Sequence, residues 1–409
     1  MFERVLRRGD MTQTLSPQQA AAIASGVYKL QHTTLEELAA NQQDLGCEGL
    51  FQTRRAGYLK GYSGALRWKQ LSGFGYVAEG EAGTPFEAHV LVATRGTLGA
   101  KTGPDWISNY NIGIQLGPSG LPVHAGFHEI WKTFSRQLLE FLEGRRPRHV
   151  HCVGHSLGGA LASLNADSLT GRHVAPVSLY TFGAPRVGDG VFARSLTRRL
   201  QGDSAPRVYR VFHASDPVPM IPLFPFWHMP FGRAGLQISN SISGLINADA
   251  HSMADSYIKG VGANKSWADL EGDAMAYGSE ASQVKSWLET AAQGKGSFLM
   301  GSAHLLTMIS RALVWLMKQA GKLMLHAVGG TLVVGATVLD QLAWGLSQGA
   351  ALSKELGVHI KALISSIWAF LGRKAMQMAE LTVAFLRWVL GLLYSSIRAV
   401  AQRAMAFLE

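Results

Sequence analysis

Gly154-His155-Ser156-Leu157-Gly158 is the segment whose residue types and spacing could do chemistry. The serine follows an apolar run, Arg148–Val153 (RHVHCV), and precedes the small-residue stretch GGALASLNADSL over 158–169. A serine on a tight strand-to-helix turn presents its oxygen, and the glycines let the backbone pass closely. The N-terminus of the following helix supplies amide donors and partial positive charge where an oxyanion would form. That arrangement suits nucleophilic attack on a carbonyl. Alone the pentapeptide is weak in a chain with 46 glycines. The strand before it and the helix after it give it weight.

A serine hydroxyl is a poor nucleophile at neutral pH and needs a base held by an acid. On a turn of this kind the partners follow in the order serine, acid, histidine. Asp216 follows the strand-like RVYRVF, and Pro217 and Pro219 stop regular structure there. Asp189 is the alternative acid, although Gly188 and Gly190 mark a structural turn. Among the histidines after Ser156, His251 and His228 are the candidates. His251 sits in DAHSMAD at a loop-to-helix junction, whereas His228 lies in a loop rich in proline and aromatic residues. The predicted triad is Ser156, Asp216 and His251.

The elements that must position these groups alternate. Glu87–Thr94, Arg148–Val153, Val174–Phe182 and Arg207–Phe212 have the texture of buried strands, and 125–144 and 157–170 have helical periodicity. Alternation of this kind predicts a mostly parallel sheet covered on both faces. Residues 1–72 are predicted to be helix-rich, with Ser16-Pro17 and TLEELAANQQDL (34–45) as helix starts. Residues 73–260 form the α/β core, 261–296 a connecting segment, and 297–409 an apolar, basic, all-helical domain.

Composition narrows the partners. Hydrophobic residues make up 47% of the 409, which excludes a disordered chain. Charged residues are 16%, against about 25% in ordinary soluble domains. The net charge is +10, and 297–409 contributes +6 of it with ten Lys/Arg and four Asp/Glu. Those basic residues stand singly among Leu, Met, Val and Trp, which suits an anionic membrane surface and argues against nucleic acid. Leu305, Ile309, Leu313, Leu316 and Ala320 share one helical face, and Arg311, Lys318 and Lys322 another. Leu323–Leu339 has no formal charge for seventeen residues, short of the roughly twenty that span a bilayer. The tail is thus read as helices packed on the core, as a membrane-attaching module, or as a transmembrane segment. Cys47 and Cys152 leave no disulfide framework. No metal constellation or cofactor-binding loop is present in the sequence. The first nineteen residues lack a secretory apolar stretch, so synthesis in the cytoplasm without a signal peptide is expected, with any export by a non-classical route.

Several motifs in order resemble the class 3 lipases, the fungal-type branch of the α/β-hydrolases. They are Thr94-Arg95-Gly96-Thr97, Val123-His124-Ala125-Gly126-Phe127, the elbow at 154–159, TFGAPRVGD at Thr181–Asp189, Asp216-Pro217-Val218-Pro219, and His251-Ser252-Met253. The resemblance covers about residues 75–260 and implies an α/β-hydrolase fold. It implies that Ser156 attacks an ester, that His251 carries the proton, and that Asp216 orients the imidazole. It also implies that the amides of Thr97 and Leu157 bind the oxyanion, and that His124, His155 and His228 are structural. Residues 98–122 would be the lid, with Trp106, Ile107, Ile112 and Ile114 as its apolar face. Asn109 departs from the aspartate that relatives commonly carry after the tryptophan, and Phe212-His213-Ala214 departs from an approach to the acid that usually contains Asn.

The expected function is serine-dependent lipid ester hydrolysis, with phospholipase A1 action at a phospholipid membrane surface first. Triacylglycerol or monoacylglycerol hydrolysis is the alternative within the same chemistry. A non-catalytic membrane-binding or membrane-disrupting protein on a hydrolase scaffold is the alternative of another class. A weaker likeness in architecture to bacterial type VI secretion lipase effectors implies a secreted toxin with an immunity or chaperone partner.

Overall fold

The structure is a computed structural model. It describes residues 13–31, Thr34, Glu36, Glu37, 45–63, 70–96, 113–201, 207–222, 225–233, 235–242, 247–275, 280–294, part of 305–320, 338–373 and 380–406. In chain order the elements are α1 (Pro17–Gly26), β1 (Gly57–Ser63), β2 (Gln70–Glu79), β3 (His89–Thr94), β4 (Ile114–Leu116) and β5 (Pro122–His124). There follow α2 (Ala125–Leu142), β6 (His149–His155), α3 (Leu157–Gly171), β7 (Val177–Phe182), β8 (Gly188–Asp189), α4 (Gly190–Leu200) and β9 (Val208–His213). The last are β10 (Phe226–Trp227), β11 (Leu236–Ile238), α5 (Trp267–Met275), α6 (Glu280–Ala292), α7 (Val338–Leu352), α8 (Lys354–Phe370) and α9 (Val383–Ala406).

The main sheet has seven strands in the order β1-β2-β3-β6-β7-β9-β11. It is antiparallel from β1 to β3 and parallel from β3 to β11. This is an α/β-hydrolase fold with a mostly parallel central sheet and a C-terminal helical region. Every residue of β3, β6 and β7 is buried, as expected of parallel strands covered on both faces. On one face α2 turns Phe127, Trp131, Phe134, Leu138 and Leu142 inward at helical spacing. Beside it, α3 is buried from Leu157 to Thr170, which its small residues permit.

The other face is closed by the N-terminal segment. Ser16 and Gln19 form a capping box that starts α1, with Pro17 in the first turn. Leu15, Ile23, Val27 and Leu30 pack with Tyr76, Leu91, Val153 and Tyr180. Thr34 and Glu37 exchange capping hydrogen bonds at the second expected helix start, and residues 38–44 lie outside those described. Two differences from the sequence-based expectation concern residues 1–72 and 261–296. The sheet takes β1 and the start of β2 from the first, and along β1 Leu59 and Gly61 are buried while Lys60 and Tyr62 are exposed, as on an edge strand. The second is largely helical, and Trp267 stacks on Tyr209 at 4.4 Å and donates to the Leu15 carbonyl. Its Gly, Ser and Lys content masked the apolar spacing of Val284, Leu288 and Ala291.

In the tail, Leu305, Ile309, Leu313, Leu316 and Ala320 are buried in a core continuous with the α2 face of the sheet. α9 buries Leu386, Val389, Leu390, Leu393 and Ile397, packs on α7, and lies against the turn Ala248–His251. Arg387 pairs with Asp340 at 3.0 Å. Among the described residues no helix is long and apolar enough to cross a membrane. Leu323–Leu339 falls almost wholly outside them.

Burial holds the imidazoles of His124 and His149 at a pKa of about 3. Unfolded, each titrates near 6.5. Between those values the unfolded chain binds protons that the folded chain refuses. Stability is therefore full above pH 6.5 and is lost as the pH falls toward 3, by about 1.4 kcal/mol per pH unit per histidine. Chemical denaturation at pH 7, 6 and 5 should show this decline, and His149→Gln should make it shallower by one such increment. An unchanged slope in the variant would refute the assignment.

Candidate active site

The three predicted residues emerge at the carboxyl ends of parallel strands, where open α/β sheets collect function. Ser156 immediately follows β6, Asp216 follows β9, and His251 follows β11 in a 3-10 turn, Ala248–His251. Ser156 has φ 57° and ψ −133°, a conformation that side-chain-bearing residues rarely adopt. It is held there from both sides. The Ser156 N–H donates to the Phe182 carbonyl at 2.9 Å, and the Ser156 carbonyl accepts from Gly159 N–H at 2.9 Å. A side chain at position 158 would bring its Cβ to 2.2 Å from the Thr94 carbonyl oxygen, so only glycine lets the elbow pass β3.

Ser156 Oγ lies 2.8 Å from His251 Nε2, and His251 Nδ1 lies 2.8 Å from Asp216 Oδ2. A carboxylate only accepts, so Nδ1 carries the proton and Nε2 is left to accept from the serine hydroxyl. Asp216 also accepts from Val218 N–H at 2.9 Å and from the Tyr257 hydroxyl at 2.5 Å. Burial and the neighbouring carboxylate push the Tyr257 phenol well above its ordinary pKa, so it remains a donor. Ser156, Asp216 and His251 are all buried, at 1%, 0% and 0% exposure. In such surroundings an unpaired carboxylate would be costly, and three donors offset that cost. Gly183, at φ 54°, makes room: a Cβ there would stand 2.7 Å from Asp216 Oδ2 and 3.1 Å from His251 Nδ1.

The alternatives fall into structural roles. Asp189 caps α4, accepting from Phe192 N–H at 2.8 Å. His228 sits near Arg186 and Arg210 and hydrogen-bonds the Pro219 backbone, and burial holds its pKa well below the ordinary value. His124 caps α2. Leu157 is the first residue of α3, so its amide belongs to the first-turn donors that have no acceptor within the helix. Thr97, Trp106, Ile107, Asn109 and Ile112 lie outside the described residues. Of the expected lid, Ile114 and Leu116 on β4 are exposed at 43% and 65%. Among the described residues no group of three His, Cys, Asp or Glu could hold a metal ion.

Sequence reasoning missed Tyr257 and Tyr28, and it placed Arg95 in a motif without giving it a part. Tyr257 stands six residues after His251, and that proximity is the only signal it offers. Arg95 is buried and donates to the Gly73 and Gly96 carbonyls at 2.5 and 2.6 Å, fixing the end of β3. Tyr28 reaches the site from the N-terminal segment, which no local pattern announces.

Residues 91–226 match the model of the class 3 lipase family. Secreted mono- and diacylglycerol lipase 1 of Fusarium solani is 34% identical over 139 residues, 32% of this chain and 39% of its own. Secreted mono- and diacylglycerol lipase A of Penicillium cyclopium is 30% identical over 141 residues, 33% of this chain and 43% of its own. The chain thus spans about two fifths of the length of these relatives. A crystal structure of lipase from Rhizopus microsporus var. chinensis shares 22% identity over 54% of this chain and 72% of that one, with a TM-score of 0.38. The relatives overturn one expectation. Synthesis in the cytoplasm without a signal peptide and non-classical export do not agree with similarity to proteins named as secreted lipases.

The backbone contact at position 158 gives a direct test. Gly158→Ala should lower stability by about 1–3 kcal/mol, the usual cost of overpacking. A melting temperature within a degree of wild type would show that the elbow can relax.

Proposed function

We propose, from the match of residues 91–226 to the class 3 lipase family model, that this chain is a serine-dependent carboxylic-ester hydrolase acting on acylglycerols. The observation that carries the proposal is the continuous relay from Ser156 through His251 to Asp216, with both contacts at 2.8 Å. In the reaction, Ser156 Oγ attacks the ester carbonyl carbon as its proton passes to His251 Nε2. The tetrahedral oxyanion is held by the Leu157 amide and, from the segment after β3, the Thr97 amide. The imidazolium, stabilised by Asp216, protonates the departing alcohol. Water then attacks the acyl-enzyme by the same route and releases the fatty acid.

The relatives named as mono- and diacylglycerol lipases support neutral acylglycerols over the phospholipid expected first from charge. Phospholipid remains a second reading because of the tail. Trp344, Leu352, Val358 and Trp388 are exposed there, among a net excess of Lys and Arg. That composition fits a lipid surface of anionic character. A scaffold without catalytic activity is disfavoured by the intact relay.

Fatty-acid release decides among these readings. Dispersed diacylglycerol and triacylglycerol should be hydrolysed by the wild type, beside phospholipid vesicles labelled separately at sn-1 and sn-2. Ser156→Ala should lose roughly a millionfold in turnover. Preferential release from sn-1 of phospholipid would replace the acylglycerol reading with phospholipase A1. No release from any ester, with Ser156 unlabelled by a fluorophosphonate, would sink the hydrolase assignment.

A further inference from the structure

The N-terminal segment places one side chain inside the machinery. Tyr28 lies in the 3-10 turn Val27–Gln31 that continues α1, well before the segment that matches the lipase family. Its hydroxyl is 2.8 Å from His155 Nδ1 and 3.2 Å from the Gly96 amide nitrogen. His155 Nε2 is in turn 2.9 Å from the His251 carbonyl oxygen, and the two imidazole centroids are 4.5 Å apart with the rings tilted by 36°.

The direction of each bond follows from donor chemistry. A carbonyl can only accept, so His155 Nε2 carries a hydrogen. Burial, and then the neighbouring His251, hold the His155 imidazole well below its ordinary pKa, so it is neutral and its Nδ1 accepts. Tyr28 therefore donates to Nδ1. Burial raises the phenol above its usual range, which keeps that hydrogen in place. The Tyr28 oxygen is then the acceptor for Gly96 N–H. The chain runs one way, from Gly96 N–H to Tyr28, from Tyr28 to His155, and from His155 to the His251 carbonyl.

One hydroxyl thus touches the backbone immediately before Thr97 and, through a single imidazole, the backbone of the catalytic base. The fit is close, because a Cβ on Gly96 would stand 2.5 Å from the Tyr28 oxygen and 3.1 Å from Ser156 Cβ. We propose that Tyr28 is a positioning residue that sets the oxyanion segment and the His251 imidazole relative to each other. The inference rests on the hydrolase reading above. Tyr28 does not touch the reacting atoms and contributes through alignment. Misplacement by about 1 Å can cost on the order of a hundredfold in rate.

The test is Tyr28→Phe in the full chain, which keeps the ring and removes the hydroxyl. With a soluble short-chain ester, kcat should fall by about ten- to a hundredfold with KM within twofold, the pattern of an interaction made in the transition state. The melting temperature should stay within a few degrees of wild type. In a His155→Gln background the same substitution should cost much less, because its route to His251 is already cut. An unchanged kcat in Tyr28→Phe would overturn the proposal. So would a loss of kcat that comes with raised KM and a large drop in melting temperature, or full additivity with His155→Gln. Fluorophosphonate labelling of wild-type Ser156, run alongside, separates the two failures. Labelled and active wild type with an indifferent Tyr28→Phe overturns the tyrosine alone, whereas unlabelled, inactive wild type overturns the hydrolase reading and the tyrosine with it.

Discussion

The conformation of Ser156 is the constraint on which the rest of the structure depends. A side-chain-bearing residue at φ 57° costs on the order of 1–3 kcal/mol, and it persists only where the surroundings over-determine it. Here β6 and β3 are in register, with Gly154 opposite Thr94. The helix that leaves the elbow crosses so close to that pair that position 158 has no space for a methyl group. The same closeness explains why α3 opens with Gly158, Gly159 and Ala160 after Leu157, and the helix is buried along its length. Its burial, with that of α2 beside it, offsets the strain at one residue with apolar area from many.

The polar half of the site follows from a second constraint, the removal of Asp216 from water. A buried carboxylate must find donors, and the fold brings them from three places: Val218 two residues on, His251 after β11, and Tyr257 in the helical turn that follows. Gly183 is what allows those groups to converge. Orientation of the His251 imidazole therefore comes with satisfying a buried charge.

Most of the sheet was legible in the sequence because parallel strands buried on both faces are unbroken apolar runs. The strands expected at 87–94, 148–153, 174–182 and 207–212 appear as β3, β6, β7 and β9 within two or three residues. Ser156, Asp216 and His251 were legible because chain order and strand ends restrict the choice. Tyr28 was not, since its part is defined by His155 and Gly96, groups far away in the chain. The edge strand β1 was not legible either. Its glycines, in GYLKGYS, blur the alternation that reveals a half-buried strand. Thr97 and the expected lid residues Trp106, Ile107 and Asn109 stay at the level of the sequence, outside the described residues.

The base is held from both ends of the molecule, by Tyr28 through His155 and by α9 against the turn that carries it. During synthesis these supports arrive at very different times. Residues 13–251 can leave the ribosome and assemble the sheet while α9 has not yet been made. At about 5–20 residues per second, the interval between His251 and the end of α9 is roughly ten to thirty seconds. For that period the His251 turn has its N-terminal support but not its contact with α9. The outer packing of the base therefore follows its N-terminal support in time, whatever the order in which the purified chain refolds.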